Sequence, residues 1–298
     1  MKESFREKVL GNGHAALFEV VPPVKGRGLV QASKEIADIL EGINVDAINI
    51  PEIRNESRNG PRNIAYMEKE DPVSYGSALQ SCGFEAVINR CTVYESPEEQ
   101  RLWIGHALKK GMGNIVAVGG ESGKKTYPGP SVTEFCDIAR HFSPEILLGG
   151  ITIPTRLDEP ERLLKKSGHG IEFFVSQVLY ESRSFKNLLK DYHLLCKRKS
   201  TKAKRLFISL APVSSDKDIY FLKWLGVEIP HHAEQRLAAA HDKARESMEI
   251  CQEILEDILD FGSRLEMPLG INVEHIMAYN TSLAAKMLRK LAAVYRQF

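Results

Sequence analysis

Apolar residues along this chain gather in short unbroken runs, and each run is followed by a longer stretch in which they return every three or four positions. The short runs cover 15–21, 45–50, 84–91, 114–118, 147–153, 171–178, 205–210 and 269–275. They are continuous rather than alternating, as in parallel strands buried on both faces. The periodic stretches predict helices over 30–41, 71–81, 97–110, 131–141, 159–167, 182–198, 216–225, 232–261 with a break, and 282–295. Local signals agree with these limits. Pro22-Pro23 ends the first run, Pro97 opens a helix that Gly111 follows, and Ser131 with Glu134 has the spacing of a capping box. Eight strand-then-helix units in one chain predict a single-domain α/β fold, a (β/α)8 TIM barrel over 1–298. A doubly wound open sheet is the competing arrangement. No low-complexity linker divides the chain. The stretch 52–71, with Arg54, Asn55, Arg58, Asn59, Gly60, Pro61 and Arg62, is a long polar loop, expected to be functional or mobile.

Composition narrows the classes. With 43% hydrophobic and 27% charged residues in 298, the chain can bury a core without covalent staples. A formal charge of +1 gives no broad field for nucleic acid or an anionic membrane. Five cysteines, an odd count with no C-x-x-C pair, predict reduced thiols in a cytoplasmic protein rather than disulfides or a zinc cluster. His231, His232 and His241 with Glu228 and Glu234 form no zinc-binding pattern, so no metal is expected. The start of the chain, Met1-Lys2-Glu3-Ser4-Phe5-Arg6, is charged and does not read as a signal peptide, and no stretch is long enough to span a bilayer.

In such a barrel the chemistry sits at the C-terminal ends of the strands, and nearly every predicted strand here ends in a polar residue. In order these are Glu19, Asn49 and Glu52, Asn89 and Arg90, the run Gly119-Gly120-Glu121-Ser122-Gly123, Thr152 with Arg156, Gln177 with Tyr180, Ser209, and Asn272 with Glu274 and His275. A carboxylate inside an apolar strand, as Glu19 is, must be paired, open to a cavity or protonated. Each position has a structural reading too. Glu19 could form an ion pair in the barrel, Gln177 could bond neighbouring backbone, and Arg156 could be a surface ion-pair residue. Gly119-Gly120 could be a tight turn, because the full dinucleotide fingerprint is absent. Glu274 and His275 are adjacent on a strand, so only one of them can face the interior.

Phe18-Glu19-Val20-Val21-Pro22-Pro23 resembles the opening motif of the methylenetetrahydrofolate reductases, where a strand-one glutamate precedes two prolines. The resemblance continues through Ile115-Val116-Ala117-Val118-Gly119-Gly120-Glu121, Pro154, and Phe174-Val175-Ser176-Gln177-Val178-Leu179-Tyr180. It ends with 207–213, containing Pro212, and Leu225-Gly226-Val227-Glu228-Ile229-Pro230, and so spans the chain in order. It implies that Glu19 is the general acid and that Gln177 hydrogen-bonds the pterin of a reduced folate. Glu121 falls where the flavin-dependent enzymes carry an aspartate. That branch has Arg-Gly-Asp after strand four, where this chain has Gly119-Gly120-Glu121. Its cofactor-backing third strand reads Asn89-Arg90-Cys91 here.

Ile153-Pro154-Thr155-Arg156, Gln177-Val178-Leu179-Tyr180 and Asn272-Val273-Glu274 leading to Ala278-Tyr279 are closer to a divergent branch that works without flavin. The implied activity is reduction of 5,10-methylenetetrahydrofolate to 5-methyltetrahydrofolate with hydride from NADH or NADPH, and FAD is expected to be absent or weakly held. Expected substrate-binding residues are Gln177, Glu121, Asn49, Tyr180, Ser209, Arg156 and Glu274, and expected cofactor contacts are Gly119, Gly120 and Thr152. A homo-oligomer or a partner subunit stays open. One rival reading is a folate-binding or methyl-carrier accessory protein without redox activity. Another is an unrelated lyase or aldolase with a phosphate site after strands seven and eight, where Pro212-Val213-Ser214-Ser215 lacks glycine.

Overall fold

The computed structural model describes residues 3–11, 13–58, 60, 62, 64–121 and 125–298. Met1, Lys2, Asn59, Pro61, Ser122 and Gly123, singled out above, lie outside the described residues. A short helix, α1 (Phe5–Leu10), precedes β1 (Ala16–Glu19). Then come α2 (Leu29–Ile39), β2 (Ala47–Ile50), α3 (Pro72–Ser81), β3 (Ala86–Cys91), α4 (Pro97–Lys109), β4 (Asn114–Val118), α5 (Val132–Phe142) and β5 (Leu147–Thr152). The second half contains α6 (Glu159–Gly168), β6 (Ile171–Ser176), α7 (Arg183–Arg198), β7 (Arg205–Leu210), α8 (Asp216–Trp224), α9 (His231–Ala239), α10 (Lys243–Arg264), β8 (Leu269–Val273) and α11 (Thr281–Tyr295).

The eight strands pair in parallel, each with the next, and β1 closes the ring on β8. The fold is therefore the expected (β/α)8 barrel and not an open sheet. Capping boxes start α4 at Ser96 with Glu99 and α5 at Ser131 with Glu134. The helical region predicted over 232–261 is two helices. Ala240 turns to an extended conformation, and Asp242 caps α10 by accepting from the Arg245 N–H. Four strands stop short of their predicted ends, at Glu19, Thr152, Ser176 and Val273. Beyond those points the chain leaves the sheet and its polar residues border the mouth of the barrel.

Alternate residues of each strand point inward, and two layers result. The outward apolar residues pack against the helices in the larger core cluster. The inward ones, Leu17, Ala47, Val87, Val116, Phe173 and Phe207 among them, fill the barrel floor. The sequence pattern carries no sign of α1, because six residues are too few to show a period. This helix seals the floor. Phe5 is fully buried, edge-on to Phe173 at 5.7 Å and 6.0 Å from Phe207. Two glycines make room for these rings: a Cβ on Gly149 would lie 2.4 Å from the Phe173 ring, and one on Gly270 would lie 2.6 Å from that of Phe207. Among the described residues no helix is long and apolar enough to cross a membrane.

Phe5→Ala removes the plug while leaving every strand intact, and it is expected to cost about 3–5 kcal/mol, the usual range for a buried aromatic truncated to alanine. Urea unfolding of the variant checks this. A loss below about 1 kcal/mol would mean that α1 is not part of the core.

Candidate functional site

Above the apolar floor the inward positions turn polar. Glu19 from β1, Asn49 from β2, Asn89 from β3, and Gln177 and Glu274 just past β6 and β8 line a cavity of about 270 Å³. Val118, Ile151 and Val175, from β4, β5 and β6, form the facing apolar wall. Ser209 and Asn272 are fully buried on the inner face of β7 and β8.

The polar wall is built from acids and amides. Asn49 Nδ2 donates to Glu19 Oε2 at 2.9 Å. Asn272 Nδ2 donates to Glu274 Oε1 at 3.0 Å and to Ser209 Oγ at 2.9 Å. Among the described residues neither acid has a cationic partner, and the Oδ1 atoms of Asn49, Asn89 and Asn272 have no hydrogen-bond partner. Burial raises the Glu19 pKa well above the ordinary carboxylate range, and the neighbouring Glu274 charge raises it further against the pull of the Asn49 bond. Burial likewise lifts Glu274 to about 7, opposed by its bonds to Ser209 and Asn272. His275 follows Glu274 and also borders the cavity. Its Nε2 accepts from the Val21 N–H at 3.2 Å, and burial lowers its pKa to about 4, so it stands neutral.

The polar loop 52–71 is tied down over the β2 and β3 side of the mouth. Arg90 bonds Glu52 and Glu95 at 3.0 Å each and Gln100 at 2.9 Å, and Glu52 also accepts from the Cys91 N–H at 2.7 Å. Arg54 joins both acids and lies 5.2 Å over the Tyr94 ring, while Tyr94 donates to Glu56 at 2.8 Å. On the far side, Arg62 lies 5.0 Å over the Trp224 ring, and Trp224 Nε1 donates to Gly60 O at 3.1 Å. Arg58, Arg62, Phe221 and Trp224 also line the cavity, though the sequence pattern did not assign them to the site. The available signal was the series Arg54, Arg58 and Arg62, spaced four apart beside the acids Glu52 and Glu56.

The structure brings Glu19, Asn49, Gln177 and Glu274 together and sets Ser209 beside them through Asn272. Gln177 Nε2 donates to Leu225 O at 3.2 Å, the backbone bond that was its structural reading. Glu121 accepts from the Ser57 N–H at 2.7 Å and pairs with Lys125, so it fastens the loop. Three residues are not brought to the cavity. The Tyr180 hydroxyl donates to Ala211 O at 2.8 Å, Thr152 donates outward to Glu159 at 2.9 Å, and Arg156 is exposed. At Gly120 a Cβ would lie 2.4 Å from the Tyr127 ring, so this glycine makes space for an aromatic side chain; Gly119 is less crowded, with Val132 at 3.7 Å. After β7 the Ser214 and Ser215 N–H groups both donate to Asp218, at 2.7 and 3.1 Å. No group among the described residues has the clustered ligands of a metal site.

Among solved structures, a protein from Clostridium thermocellum described as binding two copies of 5-methyl-5,6,7,8-tetrahydrofolic acid is similar to this chain, with a TM-score of 0.82 and 22% identity over 97% of this chain and 99% of that one. Tryptophan synthase from M. tuberculosis is similar at a TM-score of 0.55 and 11% identity, over 98% of this chain and 96% of that one. These likenesses establish the barrel fold. The chain matches no protein-family model, and no curated protein matches it in sequence.

The two acids also predict a pH dependence of stability. Their pKa values rise on folding, so the native state binds these protons more tightly than the unfolded chain does. The resulting stability is complete below the ordinary carboxylate value of 4.5 and is lost as pH rises through about 7 for Glu274 and through the raised Glu19 value. Glu274→Gln, which cannot ionise, is therefore expected to gain melting temperature over the unaltered protein, with the gain growing from about pH 5 to about pH 8. His275, with its lowered pKa, works with the opposite sign but is common to both proteins. Parallel thermal melts at several pH values test this, and a pH-independent difference would exclude titration of Glu274 in that range.

Proposed function

We propose that this protein binds a reduced folate in the barrel mouth and reduces 5,10-methylenetetrahydrofolate to 5-methyltetrahydrofolate. The observation that carries the reading is the placement of Glu19, an acid whose pKa burial raises, inside a cavity shared with amide groups and a facing apolar wall. The structurally similar Clostridium thermocellum protein, which binds methyltetrahydrofolate, supports the choice of ligand.

The chemistry needs a proton at N10 to open the bridged one-carbon unit to an iminium at N5. Glu19 is suited to give that proton, because burial and the neighbouring Glu274 raise its pKa and so hold the proton to higher pH than in an ordinary carboxyl. Asn49 holds the carboxyl in place by donating to one oxygen, which leaves the other free. Gln177 can offer both a donor and an acceptor to the edge of a pterin once its bond to Leu225 O is exchanged. A reduced nicotinamide, when bound, supplies the hydride, and Val118, Ile151 and Val175 are the residues whose apolar surface would receive one face of its ring. A flavin dinucleotide fits the residues poorly. Tyr127 fills the space at Gly120, the tethered loop covers the rim beside β3, and a cavity of about 270 Å³ is small for a pterin and a three-ring flavin together. A second reading, a folate-binding or methyl-carrier protein without a redox step, draws on the methylated folate bound by the Clostridium thermocellum protein.

Calorimetry with 5-methyltetrahydrofolate is expected to show binding, and ligand at a hundredfold its Kd should add about 2.7 kcal/mol of stability. No heat and no thermal shift would sink both readings. With methylenetetrahydrofolate and NADH or NADPH, Glu19→Gln is expected to keep folate affinity and to lose on the order of 10²–10⁴ in single-turnover rate. Undiminished turnover in that variant would remove Glu19 from the reaction. Binding without turnover in the unaltered protein would favour the carrier reading.

A further inference from the structure

Two carboxylic acids stand side by side in the mouth, with no cation between them among the described residues. β1 and β8 run in register from Ala16 opposite Ile271 to Phe18 opposite Val273. One step further along both strands come Glu19 and Glu274, and both line the cavity. Neighbouring strands lie about 4.8 Å apart, so side chains at one level on one face are in close reach. Each acid is held by a single asparagine amide, Asn49 for Glu19 and Asn272 for Glu274.

The other polar groups around the pair do not neutralise it. From β2 and β7 come only Asn49 and Ser209, which carry no charge. From β3 come Asn89 and the Cys91 thiol, which burial keeps protonated. His275 is neutral, and Lys69 lies near enough to it to help keep it so. In the loop, Glu52 is taken by Arg54 and Arg90, Glu56 by Arg58, and Arg62 rests on the Trp224 ring. Two neighbouring carboxylates, half-buried and without a counter-ion among the described residues, resist ionising together near neutrality. The first charge repels the second, and a buried unpaired charge is costly in its own right.

We propose that Glu19 and Glu274 work as a pair holding one proton, with Glu274 carrying the negative charge and thereby keeping Glu19 in the protonated form that can act as an acid. Only the destination of the proton, N10 of the folate, rests on the function proposed above, since the pair itself is a property of the free protein. Glu274 is in this sense a positioning residue: it acts through Glu19 by setting where the proton resides. The apparent titrations belong to the pair as a whole.

The test tracks the side-chain carboxyl carbons of the full-length protein, labelled with carbon-13 glutamate, by NMR during a pH titration. Glu19→Gln and Glu274→Gln assign the two signals. In the unaltered protein, just above neutrality, one of the two carboxyls is expected to be ionised and the other protonated. In Glu274→Gln the Glu19 titration is expected to fall by about one pH unit or more, because the neighbouring charge is gone. The descending limb of the reduction rate against pH should move the same way. Two ionised carboxyls at neutral pH in the unaltered protein would overturn the proposal, and so would a Glu19 titration that Glu274→Gln leaves in place. Should Glu274→Gln fail to fold, the spectrum of the unaltered protein decides alone. A normal pair titration without folate binding would defeat the proposed function and leave the pair standing. Folate binding with both acids ionised would do the reverse.

Discussion

Closure of the eight strands into a ring is the constraint on which the rest depends. A closed parallel barrel has no free edge, and every second residue of every strand must be placed in its interior. At the lower end this space is filled by Phe173, Phe207 and the Phe5 ring that α1 inserts from below, with Gly149 and Gly270 giving up their side chains to make room. Because that end is packed solid, the interior can open at the other end only. The cavity is therefore bounded by the last inward residues of the strands and by the loop residues just beyond them.

Charge is distributed unevenly around that opening. On the rim, Glu52, Arg54, Arg90 and Glu95 neutralise one another and tie the loop to β3 and α4, with Gln100 completing the hydrogen bonds of Arg90. Breaking one partner of such a buried cluster leaves an uncompensated charge, which is why networks of this kind hold a loop in one place. Inside the mouth the opposite holds. Glu19 and Glu274 receive only amide and hydroxyl donors, and three asparagine oxygens are left without partners. The rim acids and guanidinium groups pair with one another, though Arg54 Nε and Arg62 Nε lack partners, whereas the interior amides leave acceptor oxygens unused in the cavity wall.

Loop and helix contacts link the two regions. Trp224 and Phe221 on α8 border the cavity and also hold Arg62 and the Gly60 carbonyl of the loop. The start of α8 is fixed by Asp218, which gathers the Ser214 and Ser215 N–H groups, the Tyr279 hydroxyl and Asn280 Nδ2. The backbone after β7 that serves phosphate in many barrels is thus spent on anchoring the helix that frames the mouth.

The sequence by itself determined the eight strands, their order and most helix limits. Buried parallel strands need unbroken apolar runs, and the caps are local interactions between residues three apart, as at Ser131 and Glu134. It also marked Glu19, Asn49, Gln177 and Glu274, since a polar residue at the end of an apolar strand is conspicuous without any coordinates. Only the tertiary structure decided which of the polar strand-end residues meet. Thr152 ends β5 as Glu19 ends β1, and Tyr180 follows β6, yet they point to Glu159 of α6 and to the Ala211 carbonyl, because the pairing and packing that set their directions run across the barrel. The plug formed by α1, the tethering of the loop by Arg90 and the absence of a cation beside Glu19 and Glu274 were likewise outside its reach. Each depends on contacts between residues far apart in the chain, and no local pattern encodes such a distance.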